Sequence, residues 1–283
     1  MRVRNARLVI PFVLSFIACF AAQAQTSPST TQFTIGAKVW RASWLSYLPA
    51  TYTGIGPAGA PAVGDSLNAV EGTDHTDILP LLAIRHGRFF ASASHGRFSS
   101  DFNVRSSPLI LPSGQTLVTS RTDHFKRRES DLNLGYQLSP ELGIALGYKD
   151  ATESREASLG GAPQRTPLLT TKVRGYLVGA VGSFAVSEKL RIYGQAGYGP
   201  ARLKLRFNDP LLGSTKANGR YLIGELGLSY PIYTNANGFG STTAAVGYRT
   251  QTIKTDSYSS FVEESRDLRD VRDGMVLSLN VTL

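Results

Sequence analysis

The chain has 283 residues, of which 42% are hydrophobic and 18% charged, with a formal charge of +9 and one cysteine. A single cysteine excludes a disulfide framework and a cysteine-based metal site, and so mild a basic excess does not point to nucleic acid. Beyond residue 24 no stretch stays apolar for the roughly 18 residues that a membrane helix needs, so no spanning helix is expected.

The first segment reads as an export signal. Arg2, Arg4 and Arg7 form a basic start, Leu8 to Phe20 is apolar apart from Pro11 and Ser15, and Ala22-Gln23-Ala24 has the small-x-small form of a cleavage site. Residues 1–24 are therefore expected to be removed, leaving 25–283 as one domain. Removal of the three arginines lowers the formal charge from +9 to +6 and takes away Cys19. Phe16-Ile17-Ala18-Cys19 is like a lipoprotein box, but Phe16 stands where leucine is usual.

Ten strands follow. Alternation of apolar and polar residues, the mark of a strand with two unlike faces, begins at Gln32–Trp44, with Phe33, Ile35, Ala37 and Val39 on one face. The second strand is read over Thr76–Arg85, with Ile78, Leu82 and Ile84 alike and Pro80 breaking the ladder. The third starts at Arg88. The fourth carries Leu132, Leu134, Tyr136 and Leu138, and the fifth Leu142, Ile144, Leu146 and Tyr148. The sixth, near Thr171–Val186, is apolar on both faces in places. The seventh begins at Leu190 and shifts phase at Pro200, after which Leu203, Leu205 and Phe207 take up the apolar pattern; a bulge at Gly199-Pro200 is expected there. The eighth carries Leu222, Leu226, Leu228, Tyr230 and Ile232, the ninth runs from Phe239 to about Thr255, and the tenth closes the chain with Met275, Leu277, Leu279, Val281 and Leu283.

The connections alternate in length. Tight turns at His86-Gly87, Ser139-Pro140, Ser187-Glu188 and Thr234–Gly238 alternate with long segments at Ser46–His75, Ser106–Thr122, Thr152–Pro167, Asn208–Thr215 and Asp256–Arg269. Five Gly-Tyr pairs, at Gly135, Gly147, Gly175, Gly197 and Gly247, put tyrosine on the apolar face and glycine on the other. A tilted strand climbs roughly 2.5 Å per residue along the membrane normal. Tyr148, Tyr176, Tyr198 and Tyr248 are then expected in one aromatic girdle, and Phe89, Tyr136, Phe184, Tyr230 and Phe239 in a second. The pattern predicts an all-β fold: a ten-stranded, antiparallel, up-and-down transmembrane β-barrel with short periplasmic turns, longer external loops and both termini periplasmic.

On these features the stretch from Gln32 to Leu283 resembles the superfamily of small bacterial outer-membrane β-barrel proteins. The resemblance is architectural and carries no single family motif. It implies the outer membrane of a Gram-negative bacterium, contact with its lipid and lipopolysaccharide, and insertion by the barrel-assembly machinery. The terminal residue is Leu283 where phenylalanine is usual in that superfamily.

Inward positions are read for Lys38, Arg85, Asp131, Glu141, Arg174, Arg191, Glu225 and Arg249, as lumen charges that pair into a plug or line a narrow channel. Lys126, Arg127, Arg128, Arg202, Lys204 and Arg206 are candidate contacts for lipopolysaccharide phosphates. Asp74, His75, Asp77, Asp123 and His124 lie near the external rim. That placement is similar to the omptin proteases, ten-stranded barrels that use aspartate and histidine there, although no motif matches residue by residue. Asp123 and His124 are adjacent on one strand and point to opposite faces, so one cannot orient the other. His95 beside Ser94 is a weaker pair for lipid-directed serine chemistry. No metal or cofactor is expected. The leading reading is a non-enzymatic surface structural or interaction barrel, with a narrow pore as its variant; the alternative is an outer-membrane hydrolase, omptin-like or lipid-modifying, with its site at the external rim.

Overall fold

The computed structural model describes residues 31–46, 54–55, 61–62, 70–105, 109–110, 116–117, 120–159, 165–208, 213–235, 240–255 and 268–283. The expected signal segment and Phe239 lie outside them. Ten long strands form one sheet: β1 (Thr31–Ser46), β2 (His75–His86), β3 (Phe89–Arg105), β4 (Ser120–Gln137), β5 (Leu142–Leu159), β6 (Thr166–Ala185), β7 (Arg191–Phe207), β8 (Ser214–Thr234), β9 (Ser241–Thr255) and β10 (Leu268–Thr282). Each pairs antiparallel with the next. β10 returns to β1 from Thr34↔Thr282 to Ser46↔Asp270, closing a barrel. Val70–Glu71 adds a short pairing to the far end of β1, and two small hairpins, Gly54–Ile55 with Pro61–Ala62 and Leu109–Ile110 with Thr116–Leu117, stand apart.

The strands are longer than a bilayer requires. β8 has 21 residues, whereas about 9–11 tilted residues cross the hydrocarbon. The cylinder therefore has two zones. In the zone next to the tight turns, the outward face is a belt of oil: Leu222, Leu226, Leu228, Tyr230 and Ile232 of β8 are 43–64% exposed, while Glu225 between them is buried. The belt continues around the ring through Ile35, Ile78, Leu134, Leu146, Val178, Tyr198, Tyr248 and Leu277.

Beyond the belt the pattern inverts. Arg202, Lys204 and Arg206 of β7 turn outward, and Ala201, Leu203 and Leu205 turn in. The bulge expected at Gly199-Pro200 is absent. Gly175 faces Ala201 and Val178 faces Tyr198, three residues apart on both strands, so no residue is inserted. What changes at Pro200 is the solvent outside: lipid gives way to water, and the apolar side chains move to the interior. Much of the expected Thr152–Pro167 loop is strand for the same reason, β5 running to Leu159 and β6 starting at Thr166.

The apolar core sits inside this projecting wall. One cluster gathers Val173, Leu177, Leu203, Leu205, Tyr221, Ile223 and Ile253. A second holds Trp44, Phe98, Phe102 and Phe125, whose ring centroids are 4.5–5.6 Å apart. Each such side chain contributes roughly 1.5–3 kcal/mol by leaving water. The Gly-Tyr pairs serve this interior: the Tyr221 ring occupies the space a side chain at Gly175 would need, and Phe90 does so at Gly135. Pro80 keeps its pairing to β1 through Ala37, but the β2–β3 ladder stops beside it, at Leu81↔Ser94.

Candidate functional site

Three groups of polar side chains stand out. The first fills the bore. Glu225 accepts from Lys38 Nζ (2.8 Å), Arg249 Nη1 (2.9 Å) and Gln195 Nε2 (2.8 Å). Lys149 bridges Asp131 and Glu129, the latter at 2.5 Å. Arg127 continues the chain to Glu129 (3.1 Å), Asp270 (3.1 Å) and the Tyr221 hydroxyl (2.7 Å). Asp270 also takes the Trp44 indole N–H at 2.7 Å. Arg272 holds Asp77 and lies over Phe98, with its guanidinium carbon 3.3 Å from the ring centre. Buried charges persist when each finds partners and hydrogen bonds; each charge of this layer has an oppositely charged partner, while the Nε atoms of Arg127, Arg249 and Arg272 have no hydrogen-bond partner among the described residues. Glu153, at its outer edge and beyond the belt, is pushed by burial and then by the Asp270 carboxylate up to about 8, against the pull of Arg127 at 3.9 Å.

The sequence-predicted lumen charges divide accordingly. Lys38, Asp131, Glu225 and Arg249 belong to the layer. Arg85 donates to the Gly87 carbonyl, Glu141 accepts from Ser139 and Arg191 donates to Ser183, all close to the tight turns. Arg174 is not in the lumen. It shares the parity of Tyr176, points outward and donates to Asp150 at 2.9 Å. The interface aromatics Tyr136, Tyr148, Tyr176, Phe184, Tyr198, Tyr230 and Tyr248 all sit on the outward face, where Tyr148 and Tyr176 pair at 5.3 Å.

The second group is a basic outer face. Lys172, Lys204 and Lys216 stand directly opposite one another across β6, β7 and β8, with Arg174 opposite Arg202 in the next row. All five are exposed. Lys126 and Arg128 continue the face on β4, Lys126 reaching Glu156 at 3.1 Å. Arg127 does not belong to it. Its odd position turns it inward, where it is 1% exposed.

The third group is at the loop end. His75 accepts from Arg272 at 3.1 Å and stacks on Phe98, Asp77 is committed to Arg272, and Asp74 faces outward near Arg41, so these three do not converge. Asp123 points inward and pairs with Arg155. His124, on the opposite face, meets two residues that the sequence reading did not single out. Its Nδ1 lies 2.5 Å from Asp101 Oδ1 on β3, and its Nε2 lies 3.4 Å from Ser158 Oγ on β5. Ser158 fell within the expected Thr152–Pro167 loop, and the third strand, which holds Asp101, was given a start and no faces. The signal that would have found them is the inverted alternation, which extends β3 and β5 past the belt. His95 and Ser94 separate to opposite faces, His95 pairing with Ser130 at 2.9 Å.

No protein-family model matches the chain, and no curated protein is similar to it. Solved structures with a similar shape include the outer membrane protease OmpT from Escherichia coli, with 11% identity and a TM-score of 0.48 over 93% of this chain and 99% of that one. Neisserial surface protein A has 13% identity and a TM-score of 0.36, over 89% of this chain and 96% of that one. The toluene transporter TodX of Pseudomonas putida has 9% identity and a TM-score of 0.32, over 90% of each chain. What these share with the present chain is the barrel shape. By its closed ring of ten antiparallel strands and its belt of outward apolar side chains, the chain is a small β-barrel of the outer-membrane type.

Proposed function

We propose that this chain is a non-conducting outer-membrane barrel that serves as a surface structural and interaction protein, with both termini in the periplasm. The observation that carries the reading is the charged layer in the bore, where Glu225, Lys149, Glu129, Arg127 and Arg272 are each no more than 7% exposed. A water-filled channel would leave such groups hydrated. The test is reconstitution into planar bilayers, with no step conductance expected; discrete steps would overturn the closed-bore reading.

The basic outer face supports a partner. Like charges directly opposite on neighbouring strands repel, and the Lys172–Lys204–Lys216 row makes no ion pair among the described residues. It lies just past Tyr176 and Tyr198, at the depth of lipid phosphates. Lipopolysaccharide phosphates supply the missing counter-charge. Replacing the three lysines by glutamine is expected to lower the number of lipopolysaccharide molecules retained in native mass spectra and to weaken the salt dependence of retention. Unchanged retention removes this partner. The alternative hydrolase reading is supported by one specific observation, the surroundings of His124.

A further inference from the structure

We propose that Ser158, His124 and Asp101 form an acyl-transfer site on the outward face of the projecting wall, acting on carboxylic esters that carry an anionic group. The inference does not depend on whether the bore conducts. Asp101 and His124 are direct cross-strand partners on β3 and β4, and Ser158 is one step along the same face on β5, opposite Thr122.

The atoms are in the order that nucleophilic catalysis needs. A carboxylate only accepts, so Asp101 fixes the proton on Nδ1 at 2.5 Å and leaves the Nε2 lone pair toward the Ser158 hydroxyl at 3.4 Å. The second distance is long for a hydrogen bond, as such contacts are before substrate binds. Other polar groups facing the imidazole are engaged elsewhere. Glu156, directly opposite His124 on β5, takes Lys126 at 3.1 Å, and the Thr122 hydroxyl donates to Asn103 at 3.1 Å. His124 and Ser158 are 9% and 8% exposed, although they lie on a face whose neighbours Lys126 and Arg128 are open to solvent. A nucleophile and base sheltered together on an otherwise wet face differ from an ordinary surface hydrogen bond.

The reaction is balanced with water as the only co-reactant. Ser158 Oγ bonds to the ester carbonyl carbon while its proton passes to His124 Nε2. Collapse of the tetrahedral adduct breaks the carbon–oxygen bond to the alcohol, which departs with the proton from His124. Water then attacks the acyl-serine, giving its proton to Nε2, and the acid leaves as Ser158 regains a proton. Asp101 touches no reacting atom and is a positioning residue.

Substrate class follows from depth and charge. His124 lies eight residues beyond Leu132, the last belt residue of β4, which is roughly 20 Å outside the hydrocarbon at about 2.5 Å per residue. The scissile bond is therefore on the water side. Between the site and the belt runs a groove of about 600 Å³ lined by Arg97, Lys126, Arg128 and Lys172 against Asp150, which favours an anionic group on the substrate.

The experiment treats the folded protein in detergent with a fluorophosphonate probe, followed by hydrolysis of two p-nitrophenyl esters, butyrate (neutral) and hemisuccinate (anionic), and of vesicles of an anionic phospholipid. Folding of every variant is checked by heat-modifiable migration. A single adduct on Ser158 is expected, lost in Ser158→Ala and in His124→Gln. Asp101→Asn is expected to lower kcat roughly 10⁴-fold, as for other triads, with KM unchanged and the pH profile altered. Arg128→Gln is expected to erase a preference for hemisuccinate over butyrate by raising KM for hemisuccinate. Hydrolysis of hemisuccinate but not of vesicles identifies a soluble ester; the reverse identifies a lipid. No adduct on Ser158 in folded protein, or an adduct indifferent to His124→Gln, overturns the site. Equal turnover of both esters overturns the substrate class.

Discussion

The belt and the projecting wall are made from the same ten strands, yet their side chains obey opposite rules. On β8, Leu226 and Leu228 of the belt point outward and Glu225 points in, whereas higher on the strand Tyr221 and Ala217 point in and Lys216 and Arg220 point out. The backbone period is two in both zones. What reverses is the medium outside, lipid in one and water in the other. Alternation therefore identifies a strand, but only the solvent decides which of its faces is oily.

The neighbours Glu225 and Leu226 test this contrast most sharply. Glu225→Ala leaves Lys38 and Arg249 buried without their shared carboxylate and is expected to cost about 3–5 kcal/mol. Urea unfolding in vesicles measures it; a loss under about 1 kcal/mol would mean that water already shares this layer. Leu226→Arg puts a charge into lipid and is expected to cost about 2–4 kcal/mol. The same change at Asn218, exposed on the wall part of β8, should stay within about 0.5 kcal/mol. Comparable costs at both positions would place Asn218 in the bilayer and lengthen the belt.

A smaller substitution separates the two zones by packing. Ile253 is buried in the wall core, and Ile35 is 56% exposed on the belt. Ile253→Val removes a methylene from a packed interior and should cost about 0.5–1.5 kcal/mol. Ile35→Val should cost less, since lipid chains fill the space. Matching values would show that the wall core is as loosely packed as the lipid contact.

The belt was legible in the sequence because its outward face is apolar and its inward face is not. Leu132–Leu138 and Met275–Leu283 read as strands with the correct faces, and the ring of ten strands followed from alternating turn lengths. The wall was not legible. With Arg202, Lys204 and Arg206 outside and Leu203 and Leu205 inside, β7 looked out of phase, and Thr152–Leu159 looked like loop. The site around His124 lies wholly in that zone. Its partners Asp101 and Ser158 are 23 and 34 residues away in sequence and meet only through strand register. Arg127 was given to the outer face because it was grouped with Lys126 and Arg128 by sequence and not by parity, and Arg174 was read as inward on a sixth strand that is apolar on both faces in places.

The finest distinction concerns how ion pairs behave at the wall's inner edge. Glu153 is buried beside Asp270, Arg127, Arg155 and Arg272, and burial with the Asp270 charge raises it to about 8 from an ordinary value of 4.5. The folded protein then holds a proton on Glu153 that the unfolded chain has already released. Its contribution to stability is complete below about 4.5 and is lost as pH rises through about 8. Glu153→Gln keeps the shape of the protonated acid and cannot ionise. The variant is expected to match the parent near pH 5 and to show the higher transition temperature of the two at pH 9. A gap that is the same at both pH values would mean that Glu153 stays ionised and is matched by Arg127, extending to the wall the ion pairing of the layer below.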